Sequence, residues 1–121
     1  MNWSALGFVA LGGALGSVAR YLLGTWIPSG RLPWGTILIN IVGSMIIGWL
    51  VARLTPITEQ NFRMYSFAVV GICGGFTTFS TFSWQNFELM QKGDWLGAGA
   101  NILLSVVLCL VATWAGWRLG R

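Results

Sequence analysis

Histidine is absent from this 121-residue chain, which excludes histidine catalysis and histidine metal ligation. Charge is scarce as well. Charged residues make up 8% of the sequence, against about 25% in an ordinary soluble domain. Only Glu59, Glu88 and Asp94 are acidic, and none lies near the middle of an apolar run. Proline is confined to Pro28, Pro33 and Pro56, all at the ends of such runs. The two cysteines, Cys73 and Cys109, fall inside apolar runs and read as small buried residues, not as a disulfide or metal pair. No basic stretch precedes the first apolar run, which argues against a cleaved signal peptide. The net charge of +4 comes from scattered residues: Arg20, Arg31, Arg53, Arg63, Lys92, Arg118 and Arg121. Without a basic cluster there is nothing to track a phosphate backbone, so nucleic acid is excluded as a partner.

What remains is apolar. Hydrophobic residues make up 55% of the chain, arranged in four runs at about residues 3–26, 34–53, 64–90 and 95–117. Each is long enough to cross ~30 Å of hydrocarbon as a helix rising 1.5 Å per residue. Most tryptophans (Trp3, Trp26, Trp34, Trp84, Trp95, Trp114, Trp117) sit near run ends, where amphipathic rings anchor at the lipid–water boundary. The expectation is an all-α membrane protein, a single transmembrane domain over residues 1–121, immersed in a lipid bilayer. Short connections make each helix antiparallel to the next and put both termini on one side. Basic residues on the two sides are nearly balanced, so the positive-inside rule does not fix one orientation. Such a chain can insert both ways, and two copies can then pair antiparallel.

Polar groups within a membrane are costly and mark function or packing. The first run carries Gly12, Gly16, Arg20 and Gly24 on one helix face. Its glycines read as a close-packing surface; Arg20 is either a snorkelling interfacial residue or an electropositive lining to a pore mouth. The second run carries Asn40, Ser44 and Gly48, and Asn40 either bonds a neighbouring helix or faces an aqueous path. The fourth run repeats the spacing with Asn101, Ser105, Cys109 and Thr113, a stripe that alone would pass for a small-residue packing seam.

The stretch Gly71-Ile72-Cys73-Gly74-Gly75-Phe76-Thr77-Thr78-Phe79-Ser80-Thr81-Phe82-Ser83 does not suit a helix. Paired glycines and β-branched threonines are poor helix formers, and a break is expected near 74–78. A break at mid-membrane frees backbone groups that protein, water or an ion must satisfy. Carbonyl ends suit a cation and amide ends an anion. Phe79 and Phe82 share a face, with Ser80 and Ser83 alongside. Because an aromatic ring is positive at its edge, edge-on rings beside hydroxyl and amide donors can replace water around a small anion. An isolated Phe-x-x-Phe is ordinary core packing; the adjoining break gives this one its interest.

Residues Gly74 to Ser83 (GGFTTFSTFS) resemble the signature of the Fluc/CrcB family of microbial fluoride channels. Gly12-Gly13-x-x-Gly16-x-x-x-Arg20 and Gly35-Thr36-x-x-x-Asn40-x-x-Gly43 support the likeness, which covers essentially the whole chain. The resemblance implies a dual-topology homodimer of antiparallel subunits with two fluoride pores. It implies that Phe79 and Phe82 line the pores edge-on, with Asn40 a donor near the centre and Ser80, Ser83, Ser105 and Thr113 as polar-track residues. Cys109 stands on that track where a hydroxyl would serve better. Arg20 matches the family's first-span arginine, near the vestibule. The resemblance also implies a structural sodium ion at the dimer centre, held by backbone carbonyls of Gly74 and Thr77 from both subunits.

The expected activity is therefore passive fluoride export across the cytoplasmic (inner) membrane of a microbe, relieving fluoride toxicity, and not enzymatic catalysis. Weak, repeated contacts suit rapid transit better than one tight site. The rival is a small dual-topology multidrug exporter of similar length. Proton-coupled export calls for an intramembrane carboxylate, and the first run has none. A helical assembly subunit without transport is a third class, supported only by the glycine seams.

Overall fold

The computed structural model describes residues 2–121. Every regular element is helical: α1 (Trp3–Trp26), α2 (Trp34–Leu54), α3 (Phe62–Tyr65), α4 (Gly74–Phe76), α5 (Phe79–Gln91) and α6 (Trp95–Gly120). A π-helical stretch, Ser66–Cys73, joins α3 to α4 without interruption. The third span is thus the composite Phe62–Gln91. With α1, α2 and α6 it makes four helices long and apolar enough to cross a membrane. This is a multi-pass membrane protein.

Local chemistry explains where the helices begin. Asn2 accepts the Ser4 N–H at the start of α1, and Asp94 accepts the Gly97 N–H at the start of α6, each satisfying one of the amides a helix leaves unpaired. Pro33, which has no N–H to lose, precedes α2. The last helix runs three residues past the expected end at 117, and the third span is slightly longer at both ends than 64–90. The break is narrower than the glycines suggested. Gly74 and Gly75 are helical, and only Thr77 and Thr78 are extended (φ −83°, ψ 156° and φ −148°, ψ 117°).

The glycines serve close approach instead. A Cβ on Gly71 would lie 2.8 Å from Gly12 Cα, and one on Gly16 would lie 2.9 Å from the Phe76 amide nitrogen. The backbone of α1 therefore rests directly on the π-helix and α4. Gly48 and Gly116 do the same for α2 and α6, meeting the Thr113 and Met45 carbonyls. The order of contacts along each pair is parallel: Gly12 then Gly16 meet Phe67 then Phe76, and Met45 then Ala52 meet Gly116 then Gly120. Backbone-to-backbone packing of this kind holds helices together in lipid, where burying apolar surface supplies no drive. The outer faces are apolar, as lipid requires: Leu11, Val18, Leu103 and Leu110 are all more than half exposed.

Alternating directions put the α1–α2 and α5–α6 connections at the same end, and one ion pair clips them together. Arg31 donates from Nε to Asp94 Oδ2 at 2.8 Å and from Nη2 to Asp94 Oδ1 at 2.6 Å, a bidentate geometry that favours arginine over lysine. These hydrogen bonds, then the Gly97 N–H, hold the Asp94 carboxyl down at about 2, and the same contact raises Arg31. Asp94 thereby caps α6 and fastens the far loop.

Candidate functional site

The break organises everything near it. The Thr78 N–H donates to Asn40 Oδ1 at 2.9 Å, and Asn40 Nδ2 donates to the Thr78 carbonyl at 3.2 Å. One carboxamide on α2 thus satisfies both main-chain groups of an extended residue, as a neighbouring strand would. Thr78 Oγ1 in turn accepts the Thr81 N–H at 3.3 Å and caps α5. The Thr77 hydroxyl folds back onto the Cys73 carbonyl at 2.8 Å.

These diversions leave two carbonyls without their helical donors. In an unbroken helix the Gly74 carbonyl would accept from the Thr78 N–H and the Thr77 carbonyl from the Thr81 N–H. Both amides donate to side-chain oxygens instead. Gly75 is different: its carbonyl accepts from Arg20 Nε at 3.1 Å and Ser17 Oγ at 3.4 Å. Arg20 is accordingly tied to the break, where its cation faces the carbonyl end of α4.

Two spaces flank the break. A groove of about 620 Å³ is lined by Asn40, Gly74, Thr77, Phe79, Phe82 and Ser105, together with Ser44 and Cys109. A larger cavity of about 780 Å³ opens towards the clipped loops and is lined by Ser17, Arg20, Thr81, Gln85, Glu88 and Lys92, among others. Thr78 belongs to both walls, so the residue splinted by Asn40 is the partition between them. In the groove, the Phe79 and Phe82 ring centroids lie 5.3 Å apart and their planes tilt by 44°. Phe79 is 77% exposed and Gly74 is also exposed, so the groove is open on one side.

Most of the expected site residues meet here, and some do not. Ser80 and Ser83 are exposed and line neither space. Thr113 lies outside both, its carbonyl against Gly48. Arg20 lines the larger cavity, across the break from the aromatic pair. Asn40 reaches the groove with its oxygen and one amide hydrogen committed to Thr78.

Two residues escaped the sequence reading. Asn86 is 5% exposed and joins Asn101, which is fully buried, in a polar ladder between α5 and α6. Ser105 Oγ donates to Asn101 Oδ1 at 3.3 Å, Asn101 Nδ2 to Asn86 Oδ1 at 2.8 Å, and Asn86 Nδ2 to the Phe82 carbonyl at 2.9 Å. Beside it, Gln85 Oε1 is buried without a partner among the described residues. A usable signal was present: adjacent amides, Gln85 and Asn86, three and four residues beyond Phe82 within a membrane span, where polar groups need partners.

The arrangement offers hydroxyl and amide donors, aromatic edges and one arginine, with no carboxylate in the groove. Residues 7–117 match the family profile described as CrcB-like protein, Camphor Resistance (CrcB). The chain belongs to the CrcB family. Among similar proteins is the fluoride-specific ion channel FluC of Paramagnetospirillum magneticum, 50% identical over 114 residues, covering 89% of this chain and 88% of that protein. Another is the fluoride-specific ion channel FluC of Geobacter sulfurreducens, 46% identical over 118 residues, covering 93% and 94%. A third, fluoride-specific ion channel FluC 1 of Nitrobacter hamburgensis, is 50% identical over 129 aligned positions, covering 100% and 98%. All three CrcB relatives carry the names of ion channels, not of enzymes.

Proposed function

We propose that this chain is a subunit of a passive, fluoride-selective channel of the microbial inner membrane that lets the ion leave down its gradient. The observation that carries the reading is near-full-length similarity to proteins named as fluoride-specific channels. The two spaces that meet at Thr78 support a route. An anion enters the cavity past Lys92 and Arg20, passes the Thr78 partition, and loses water in the groove to hydroxyl donors and the edges of Phe79 and Phe82. Fluoride is small and strongly hydrated, so a path with several weak donors suits it better than one charged site. No feature favours the exporter reading, because the groove has no carboxylate to exchange a proton.

In this proposal the functional unit is an antiparallel homodimer. The exposed Gly74 and Phe79 at the open side of the groove support that reading, since a second copy would close it and complete two pores. Ser80 and Ser83, also exposed, then face the assembled path, and Thr113 extends it along α6. The sodium reading fits the donor set: the Gly74 and Thr77 carbonyls are among those that lost their helical donors at the break, and hard oxygen ligands suit such an ion. When bound, sodium would neutralise carbonyl ends converging at the membrane centre and hold the two breaks in register.

Protein reconstituted into liposomes loaded with fluoride or chloride tests the activity. Fluoride should leave rapidly on dissipation of the membrane potential while chloride stays; equal fluxes would overturn the reading.

A further inference from the structure

We infer that Asn86 and Asn101, which line neither the groove nor the cavity, are positioning residues that lock the Phe82 turn of α5 to Ser105 of α6 and so set the spacing of the anion path. This rests on the channel reading and adds residues outside the path to it. The argument begins with the cost of the pair. Two carboxamides are buried between helices, where leucines of nearly the same shape would pack without any hydrogen-bonding requirement. Their presence calls for a use beyond filling space.

The ladder has one direction. Asn101 accepts from Ser105 and donates to Asn86; Asn86 accepts from Asn101 and donates to the Phe82 carbonyl. Each amide uses both its ends, so flipping either one breaks two rungs. The two ends of the ladder, Phe82 and Ser105, both line the groove. The need for a tie is local to α5. That helix starts directly after the break, so its first turn lacks a preceding helical turn to hold it, and Asn86 holds the carbonyl of the ring-bearing residue itself. The rung to Ser105 is the longest, at 3.3 Å. The hydroxyl is therefore the member free to turn from Asn101 towards a passing anion, while the amide rungs keep their places.

The test separates positioning from stability. The double variant Asn86→Leu/Asn101→Leu removes the ladder without orphaning either amide. Fluoride efflux from liposomes is read beside the 19F spectrum of 4-fluorophenylalanine incorporated at position 82, which reports ring environment without reference to conduction. Expected are a thermal transition in detergent no lower than wild type, a shifted or broadened 19F line, and fluoride efflux reduced about tenfold or more, as a site freed by ~1 Å would show. Wild-type efflux together with an unchanged 19F line would overturn the inference. If wild-type protein passes no fluoride, the channel reading fails, and the 19F comparison alone decides whether the ladder places Phe82. If the double variant does not assemble, Asn86→Ala, where water can occupy the vacated space, is read by the same criteria.

Discussion

Removing the Asn40 side chain should disable the break before it affects anything else. Asn40→Ala deletes two hydrogen bonds to Thr78, at 2.9 and 3.2 Å, in a part-buried place. Each bond contributes about 1 kcal/mol net, and each backbone group left unsatisfied costs about 1–3 kcal/mol if water cannot reach it. The groove admits some water, so the expected loss is about 2–4 kcal/mol, towards the low end where solvent can replace the amide. Reversible unfolding in mixed micelles measures it. Asn40→Asp is the informative companion: a carboxylate can still accept the Thr78 N–H but has no donor for the Thr78 carbonyl. It should keep part of the stability and still impair fluoride efflux, because the partition is held from one side only. A loss below about 0.5 kcal/mol for Asn40→Ala, with efflux intact, would refute the splint.

Three further outcomes follow from the packing, the clip and the rings. Gly16→Ala puts a methyl against the Phe76 and Ile72 backbone, which cannot give way as a side chain would; destabilisation of about 1–3 kcal/mol is expected, whereas Gly7→Ala, which meets nothing within 4 Å, should be near neutral. Asp94 titrates at about 2 when folded, below its ordinary value, so its contribution is full above about pH 4 and is lost as pH falls through about 2. Hydrogen exchange of the first α6 amides should thus be unaffected by clip loss between pH 8 and 5, after correction for intrinsic rates, and should quicken in Asp94→Ala. Phe82→Ile should cut fluoride throughput while leaving assembly on size exclusion unchanged; undiminished throughput would remove the ring-edge contribution.

The four spans were legible because hydropathy and length alone decide them: with 8% charged residues no other fold class accommodates the chain. The disruption of the third span was legible in its glycines and threonines, and the threonines mark where it falls. Gly74 and Gly75 look like helix breakers, but Gly75 is held helical by the flush contact with Gly13 of α1, a tertiary effect that propensity cannot register. The break occupies only the threonine end of the expected 74–78 window, Thr77–Thr78, where a partner 38 residues away compensates the lost hydrogen bonds. The π-winding of Ser66–Cys73 left no trace in composition. Arg20 stands out as the one charge within the first span, but its target, the Gly75 carbonyl, depends on how α1 lies against α4. Asn86 is set apart from the other polar residues of its span by burial against Asn101, and burial follows from packing.

The most direct test of the central claim is the reversal potential of purified protein in a planar bilayer with fluoride salt on one side and chloride salt on the other. A fluoride-selective channel predicts a reversal potential displaced far towards the fluoride equilibrium potential, with no dependence on an imposed pH gradient. A reversal potential near zero, or one that follows the proton gradient, would contradict it.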